Sequence, residues 1–214
     1  MKMQSSNSRK NILQKIAAVS NKRLASVVIE KDNLETIYKP LLPDALHCFK
    51  NELEAVSGQC IICENEQEIY NQLRQYLEKK NMRSIFCRDK IIGSQLEKRK
   101  FRHTNQLAEF EKMQIGITGC EFLIARTGSV LISSDNDSGR QMNVFPPIHI
   151  VLAHISQLVN YPKDAVSAIQ EKYGEQLPSM ISFITGPSRT ADIEKTLVLG
   201  AHGPKEFIVL LSKE

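Results

Sequence analysis

The chain has no tryptophan, and all aromatic residues together make up only 6% of it. A core drawn from such a pool has to be aliphatic, built on Leu, Ile and Val. No stretch approaches the ~20 apolar residues needed to span a bilayer, so membrane insertion by a helix is not expected. The N-terminal region lacks the apolar centre of a secretory leader, because its longest apolar run is Ile16-Ala17-Ala18-Val19. Cysteine is scarce and odd in number, five in all, with no framework spacing. Four clustered cysteines, which a bound iron–sulfur cluster requires, are missing. So are H-E-x-x-H, a Walker loop, a nucleophile elbow and the G-x-G-x-x-G fingerprint, which argues against the enzyme classes built on them and against a nicotinamide cofactor. No cofactor is expected.

Acidic residues are also missing locally. Residues 1–29 carry six Lys/Arg and no Asp or Glu, and residues 79–102 carry nine Lys/Arg against Asp89 and Glu97. The rest of the chain holds 13 basic and 22 acidic residues. Two basic patches on an acidic body suit an acidic partner or nucleic acid. Neither run interleaves stacking aromatics, so both are read as solvated helical faces and no nucleic-acid partner is expected.

What is present is ordinary globular material. The 214 residues are 42% hydrophobic and 24% charged, enough for one well-buried core and short for two full domains. Reduced cysteines fit a soluble protein of the cytoplasm. Cys60-Ile-Ile-Cys63 has the C-x-x-C form of a redox or metal motif. Its two isoleucines belong to a β-type run, in which side chains alternate, so Cys60 and Cys63 are expected on opposite faces as core thiols.

Residues 1–43 read as an N-terminal helical arm, with Ile12, Leu13, Ile16 and Ala17 on one face, and residues 44–214 as one α/β domain. Asp44 caps a helix carrying Leu46, Phe49, Leu53 and Val56, which Gly58 stops. Asn65 and Glu68 form a capping pair for a helix with Ile69, Leu73 and Leu77 inward. The basic stretch to about residue 112 reads as mostly helical. Asn160 and Pro162 start a helix with Ala165, Val166, Ile169 and Tyr173 inward, closed by Gly174. Strands near residues 60, 85, 123, 131, 151, 182 and 208 are expected to form one mainly parallel sheet covered by helices on both faces, a three-layer α/β architecture.

In open α/β sheets, ligands bind beyond the carboxyl ends of the strands, so the loops after strands carry the candidate chemistry. Thr127-Gly128-Ser129 is either a tight turn or a nest of N–H groups for a phosphate or carboxylate. Thr185-Gly186-Pro187-Ser188-Arg189-Thr190-Ala191-Asp192 suits a short helix start that offers amides to an anion, with Arg189 as a bidentate fork; the bland reading is a cap and a surface arginine. Gly200-Ala201-His202-Gly203-Pro204 puts an imidazole in a turn, either a proton-transfer group or merely exposed. His149 and His154 flank an apolar strand, where a satisfied core histidine is expected.

Gly116-Ile117-Thr118, Ile124-Ala125-x-Thr127-Gly128-Ser129, Gly139-Arg140, and Thr185 to Glu194 continuing through Gly200-x-His202-Gly203-Pro204 together resemble the LUD domain, within it the lactate-utilization protein C group. One departure is Arg126, in the place where that family commonly has an acidic residue. The resemblance covers about residues 44–214. It implies a fold like that of ribose-5-phosphate isomerase, glucosamine-6-phosphate deaminase and the CoA transferases. It also implies membership of a three-protein system that oxidises L-lactate to pyruvate, with iron–sulfur subunits as partners. On that view this chain is the non-redox component and binds a small carboxylate or phosphorylated ligand, or organises the other subunits. Arg189 clamps the anion, Thr127, Gly128, Ser129, Gly186, Ser188 and Thr190 complete its cradle, and His202 moves the proton. The alternatives are a stand-alone enzyme, CoA transferase-like or 5-formyltetrahydrofolate cyclo-ligase-like, or an organic-acid sensor. A CoA transferase needs a carboxylate nucleophile, for which Glu121 and Glu194 are the only glutamates near these loops.

Overall fold

A computed structural model describes residues 4–20, 38–135, 138, 140–193, 196–200 and 202–214. Residues 21–37 of the arm, Gly139 and Glu194 therefore lie outside the described residues. The chain divides into two compact units, residues 1–39 and 40–214. Of the first, the structure shows helix α1 (Gln4–Ser20), on which Ile12, Leu13 and Ile16 are exposed.

The second unit runs α2 (Ala45–Ala55), β1 (Gln59–Cys63), α3 (Glu66–Lys79), β2 (Ile85–Cys87), α4 (Lys90–Lys98), β3 (His103–Thr104), β4 (Ile115–Thr118), β5 (Phe122–Ile124) and β6 (Ser129–Ser133). It continues with β7 (Ile148–His154), β8 (Leu158–Val159), α5 (Pro162–Tyr173), β9 (Ile181–Ile184), β10 (Arg189–Ile193), β11 (Thr196–Leu199) and β12 (Glu206–Ser212). Helix starts follow the side-chain caps read from the sequence. Asp44 accepts the His47 amide at 2.9 Å, and Asn65 that of Glu68 at 3.0 Å. Pro162 opens α5 and Gly174 closes it. Val166, expected inward on α5, is exposed. The basic stretch is less helical than expected: between α4 and a 3-10 turn at Leu107–Lys112 it contributes edge strand β3.

Six strands form one wholly parallel sheet in the order β1-β12-β7-β4-β2-β3. Alternation along β12 splits the core in two. Ile208 and Leu210 face α3 and α4, packing with Ile69, Leu73 and Leu96, while Phe207, Val209 and Leu211 face α2, packing with Phe49 and Leu53. Cys60 belongs to the second cluster and Cys63 to the first, so the two thiols do lie on opposite faces. Burial pushes them up to about 12 and about 11, which makes them poor nucleophiles near neutral pH.

The single sheet is corrected. Strands near residues 123, 131 and 182 leave the parallel sheet and build a second one, β8-β5-β6-β9, with β5/β6 and β6/β9 antiparallel. The tight connection through Gly128 folds β6 straight back on β5, and parallel strands cannot be joined so briefly. This sheet lies with α2 on one face of the parallel sheet, through Leu123, Val130 and Ile132, and α5 covers its outer face through Ala165 and Ile169. The molecule is thus mixed α/β, with a six-strand parallel sheet flanked by helices and a second sheet inserted on one side.

Candidate functional site

Helix α2 organises two of the three candidate loops. Phe49 and Leu53 are fully buried on its inner face, which fixes the helix against β1 and β12. Gly128 has φ +58°, and a Cβ there would lie 2.2 Å from the Leu53 nitrogen. Gly186 has φ +81°, and its Cβ would lie 2.8 Å from the Val56 carbonyl oxygen. Both glycines are therefore places where a turn meets the helix backbone closely, a close approach that any side chain would block. The turns they serve come together: the Ser129 hydroxyl lies 2.8 Å from both Thr127 Oγ1 and Thr185 Oγ1. These hydroxyls bond to one another, so they stiffen the junction.

The second loop differs from expectation beyond Pro187. Arg189–Ile193 is strand β10, hydrogen-bonded to β11 as an antiparallel hairpin in which Arg189 pairs with Leu199 and Thr190 with Val198. A helix start is thereby excluded, and with it the amides and dipole that such a start would offer an anion. The apolar run Leu197-Val198-Leu199 supplies a strand partner that Arg189-Thr190 accepts instead.

The third loop joins the second. The Ser188 amide donates to the Pro204 carbonyl at 2.8 Å, and the Gly200 amide to the Ser188 carbonyl at 2.8 Å. Gly203 sits against Ser188, since a Cβ on it would be 2.8 Å from that of Ser188. His202 is exposed and lines a hollow of about 300 Å³ together with Val144, Phe145, Pro147 and Lys205. The amides of Lys205 and Glu206 both donate to the Pro147 carbonyl, which ties the floor to the first residues of β7 and β12. The hollow is therefore at the amino ends of these strands, opposite to the end expected. Arg189 is exposed and neighbours the hollow through the Ser188–Gly200 bond. Lys205 and Phe145 were missed in the sequence, where nothing marks a lone lysine before a strand or an aromatic before two prolines.

Buried titratable groups are engaged structurally. His149 is fully buried, shares a 2.8 Å hydrogen bond between Nε2 and Thr118 Oγ1, and stacks edge-on against Phe207. Burial pushes its pKa down to about 3, so it stays neutral. Its Nδ1 has no partner, so the expected satisfied core histidine is only half satisfied. His154 is exposed and accepts the Ser156 amide on Nδ1 at 3.2 Å. Glu121 is buried, which works against ionisation, but Lys172 at 2.7 Å, Ser133 at 2.6 Å and Tyr173 at 2.8 Å donate to it and hold its pKa below the ordinary carboxylate value. With three donors on it, this carboxylate ties α5 to β6 and is not poised as a nucleophile. Among the described residues, no group of three His, Cys, Asp or Glu is arranged to hold a metal ion.

A second, larger hollow, of about 520 Å³, opens at the other end of the parallel sheet. Residues just beyond β1, β2 and β4 line it, including Glu66, Asp89 and Cys120, with His154 at the end of β7. Their positions after strands were the available signal, but no residue type among them stood out.

Residues 46–212 match the family described as LUD domain. Lactate utilization protein C of Oceanobacillus iheyensis is 29% identical over 168 residues, 74% of this chain and 65% of that protein. Lactate utilization protein C of Halalkalibacterium halodurans is 41% identical over 96 residues, 44% of this chain and 42% of that one. The matched part thus spans less than two thirds of the length of these relatives. The crystal structure of a DUF162 family protein from Deinococcus radiodurans superposes with a TM-score of 0.57 at 19% identity, covering 78% of this chain and 96% of that chain. That likeness is one of fold.

Proposed function

This chain belongs to the LUD domain family, and from that membership we propose that it serves lactate utilization as a component without a redox centre, holding a small organic acid in the hollow at the amino ends of β7 and β12. The relatives named lactate utilization protein C support the process. The observation that carries the site is the pair of backbone bonds at Ser188, which bring the strand of Arg189 to the hollow lined by His202 and Lys205. The anion's charge meets Lys205 and the fork of Arg189, its apolar end meets Phe145 and Val144, and His202 is the group able to exchange a proton. Thr127, Gly128, Ser129, Gly186, Ser188 and Thr190 hold the wall of this site in place. Electrons from the oxidation travel through iron–sulfur partner subunits, because this chain has no cysteine set for a cluster. The setting is the cytoplasm, where its thiols stay reduced. Among the described residues, no helix is long and apolar enough to cross a membrane.

Calorimetric titration with lactate, pyruvate and phosphorylated acids tests the reading. Arg189→Lys keeps the charge and loses the planar fork, and is expected to weaken binding roughly tenfold; Lys205→Met is expected to weaken it at least as much. Neither substitution should move the melting temperature, since both side chains are exposed. Equal binding by all three proteins would remove the proposal.

A further inference from the structure

The hollow at the carboxyl ends of the parallel strands has the opposite chemistry to the one at the amino ends. Its floor is apolar, with Ile69, Ile92 and Leu152, and its rim carries the carboxylates of Glu66 and Asp89. Among the described residues lining it there is no lysine or arginine. Two helices, α3 and α4, begin at this rim, and a free helix start would draw an anion. Each start already gives one amide to the chain's own cap: Asn65 accepts the Glu68 amide at 3.0 Å, and Asp89 the Ile92 amide at 2.9 Å. Arg88 and Lys90 flank Asp89 in sequence but are not in the lining, Lys213 donates to Glu64 at 2.7 Å, and the remaining nearby cation is Arg99. It lies 4.0 Å over the Tyr70 ring and donates to Gln95 at 2.5 Å, with one Glu66 oxygen 3.4 Å away. The remaining carboxylate oxygens of Glu66 and Asp89 are acceptors, so the rim is rich in acceptors and negative.

The wall is built rigidly. Gln157 accepts the His154 amide at 2.8 Å and donates to the Cys120 carbonyl at 2.6 Å, locking the end of β7 to the turn after β4. In His154 the Nδ1 accepts the Ser156 amide, so the neutral ring carries its proton on Nε2. At about 520 Å³ the space falls in the range of small-molecule sites.

We infer that this carboxyl-end hollow is a second ligand site, which takes a small organic cation, an amine, amidine or guanidine on an apolar body, and rejects carboxylates. Cationic N–H groups meet the oxygens of Glu66 and Asp89 while the body lies on Ile69, Ile92 and Leu152. The site is independent of the organic-acid hollow, which lies at the other end of the strands and has a lysine in its lining.

Benzamidine and benzoate have nearly the same size and shape and opposite charge, which makes them a matched pair of probes. Amide NMR spectra of the full chain are expected to show benzamidine shifting Ile92, Gln95, Gly119 and Ala153 in a saturable way, and benzoate leaving those four in place. Asp89→Asn keeps the helix cap, because Asn caps as well as Asp, and with Glu66→Gln it is expected to weaken benzamidine about tenfold or more. Lactate titrations of the same double variant should match wild type, which separates failure here from failure of the organic-acid site. Benzoate shifting the same amides as strongly as benzamidine would overturn the inference. So would benzamidine that leaves them unmoved at millimolar concentration, or that binds the double variant as tightly as wild type.

Discussion

Gly128→Ala tests how the two sheets and α2 are held together. The new methyl carbon would sit 2.2 Å from the Leu53 nitrogen, 2.6 Å from the Glu52 carbonyl carbon and 2.7 Å from the Leu53 Cα, all of them helix backbone. No side-chain rotation relieves contacts of that kind, so α2 or the turn has to retreat by about 1 Å to restore ordinary separation. Retreat of α2 opens the seam in which Phe49 and Leu53 lie fully buried against Cys60, Val130 and Phe207. The left-handed backbone adds roughly 1–2 kcal/mol and overpacking about 1–3 kcal/mol, for a total near 2–5 kcal/mol. For a chain of this size that is a melting temperature lower by roughly 4–20 °C. Gly128→Asn separates the two causes, since asparagine tolerates the left-handed region but still carries a Cβ. Urea unfolding is expected to show the Asn variant recovering at most the roughly 1–2 kcal/mol of the left-handed backbone and keeping the cost of overpacking. Asn restoring near wild-type stability, or Ala costing less than about 1 kcal/mol, would refute the close-approach argument.

His149 gives a pH signature. A histidine whose folded pKa is pushed down to about 3 takes up its proton in the unfolded chain first, so stability is lost as pH falls below the unfolded value near 6.5, at about 1.4 kcal/mol per pH unit. Urea melts across pH 7 to 4 should show that slope flattened in His149→Gln. Glu121→Gln is expected to lower stability by roughly 1–3 kcal/mol while leaving lactate titrations unchanged. With its carboxyl pKa lowered in the fold, the part of that stabilisation due to charge is present above about pH 4.5 and fades as pH falls through the lowered value. Mild oxidation of the native chain is expected to leave Cys60 and Cys63 unpaired, and a Cys60–Cys63 bridge in non-reducing peptide maps would contradict their placement on opposite faces.

Much of the fold was legible because its signals are local. Asp44, Asn65 and Pro162 mark helix starts through hydrogen bonds that span three residues or through ring geometry. The apolar runs at Cys60–Cys63, Ile115–Thr118 and Phe207–Leu211 mark buried strands. Which sheet a strand joins is not a local property: Val130–Ile132 is apolar throughout because it lies between the parallel sheet and α5, and a central parallel strand looks the same. The helix start expected after Pro187 failed for a related reason, since Ser/Thr/Asp clusters suit caps and hairpins alike and the partner strand lies several residues on. In the candidate site, the Thr127–Ser129 and Thr185–Gly186 turns do meet, and Ser188 does adjoin the His202 turn. The sequence pointed to the glycines as ligand contacts, whereas their close neighbour is α2. Lys205 and Phe145 join the hollow only through the tertiary pairing of Pro147 with Lys205 and Glu206.

A crystal of the full chain soaked separately with L-lactate and with pyruvate tests the central claim most directly. The account predicts density for the acid in the hollow between His202, Lys205 and Phe145, with its carboxylate within hydrogen-bond distance of Lys205 Nζ or the Arg189 guanidinium. Density for either acid at the carboxyl ends of the parallel strands, with the amino-end hollow empty, would contradict it.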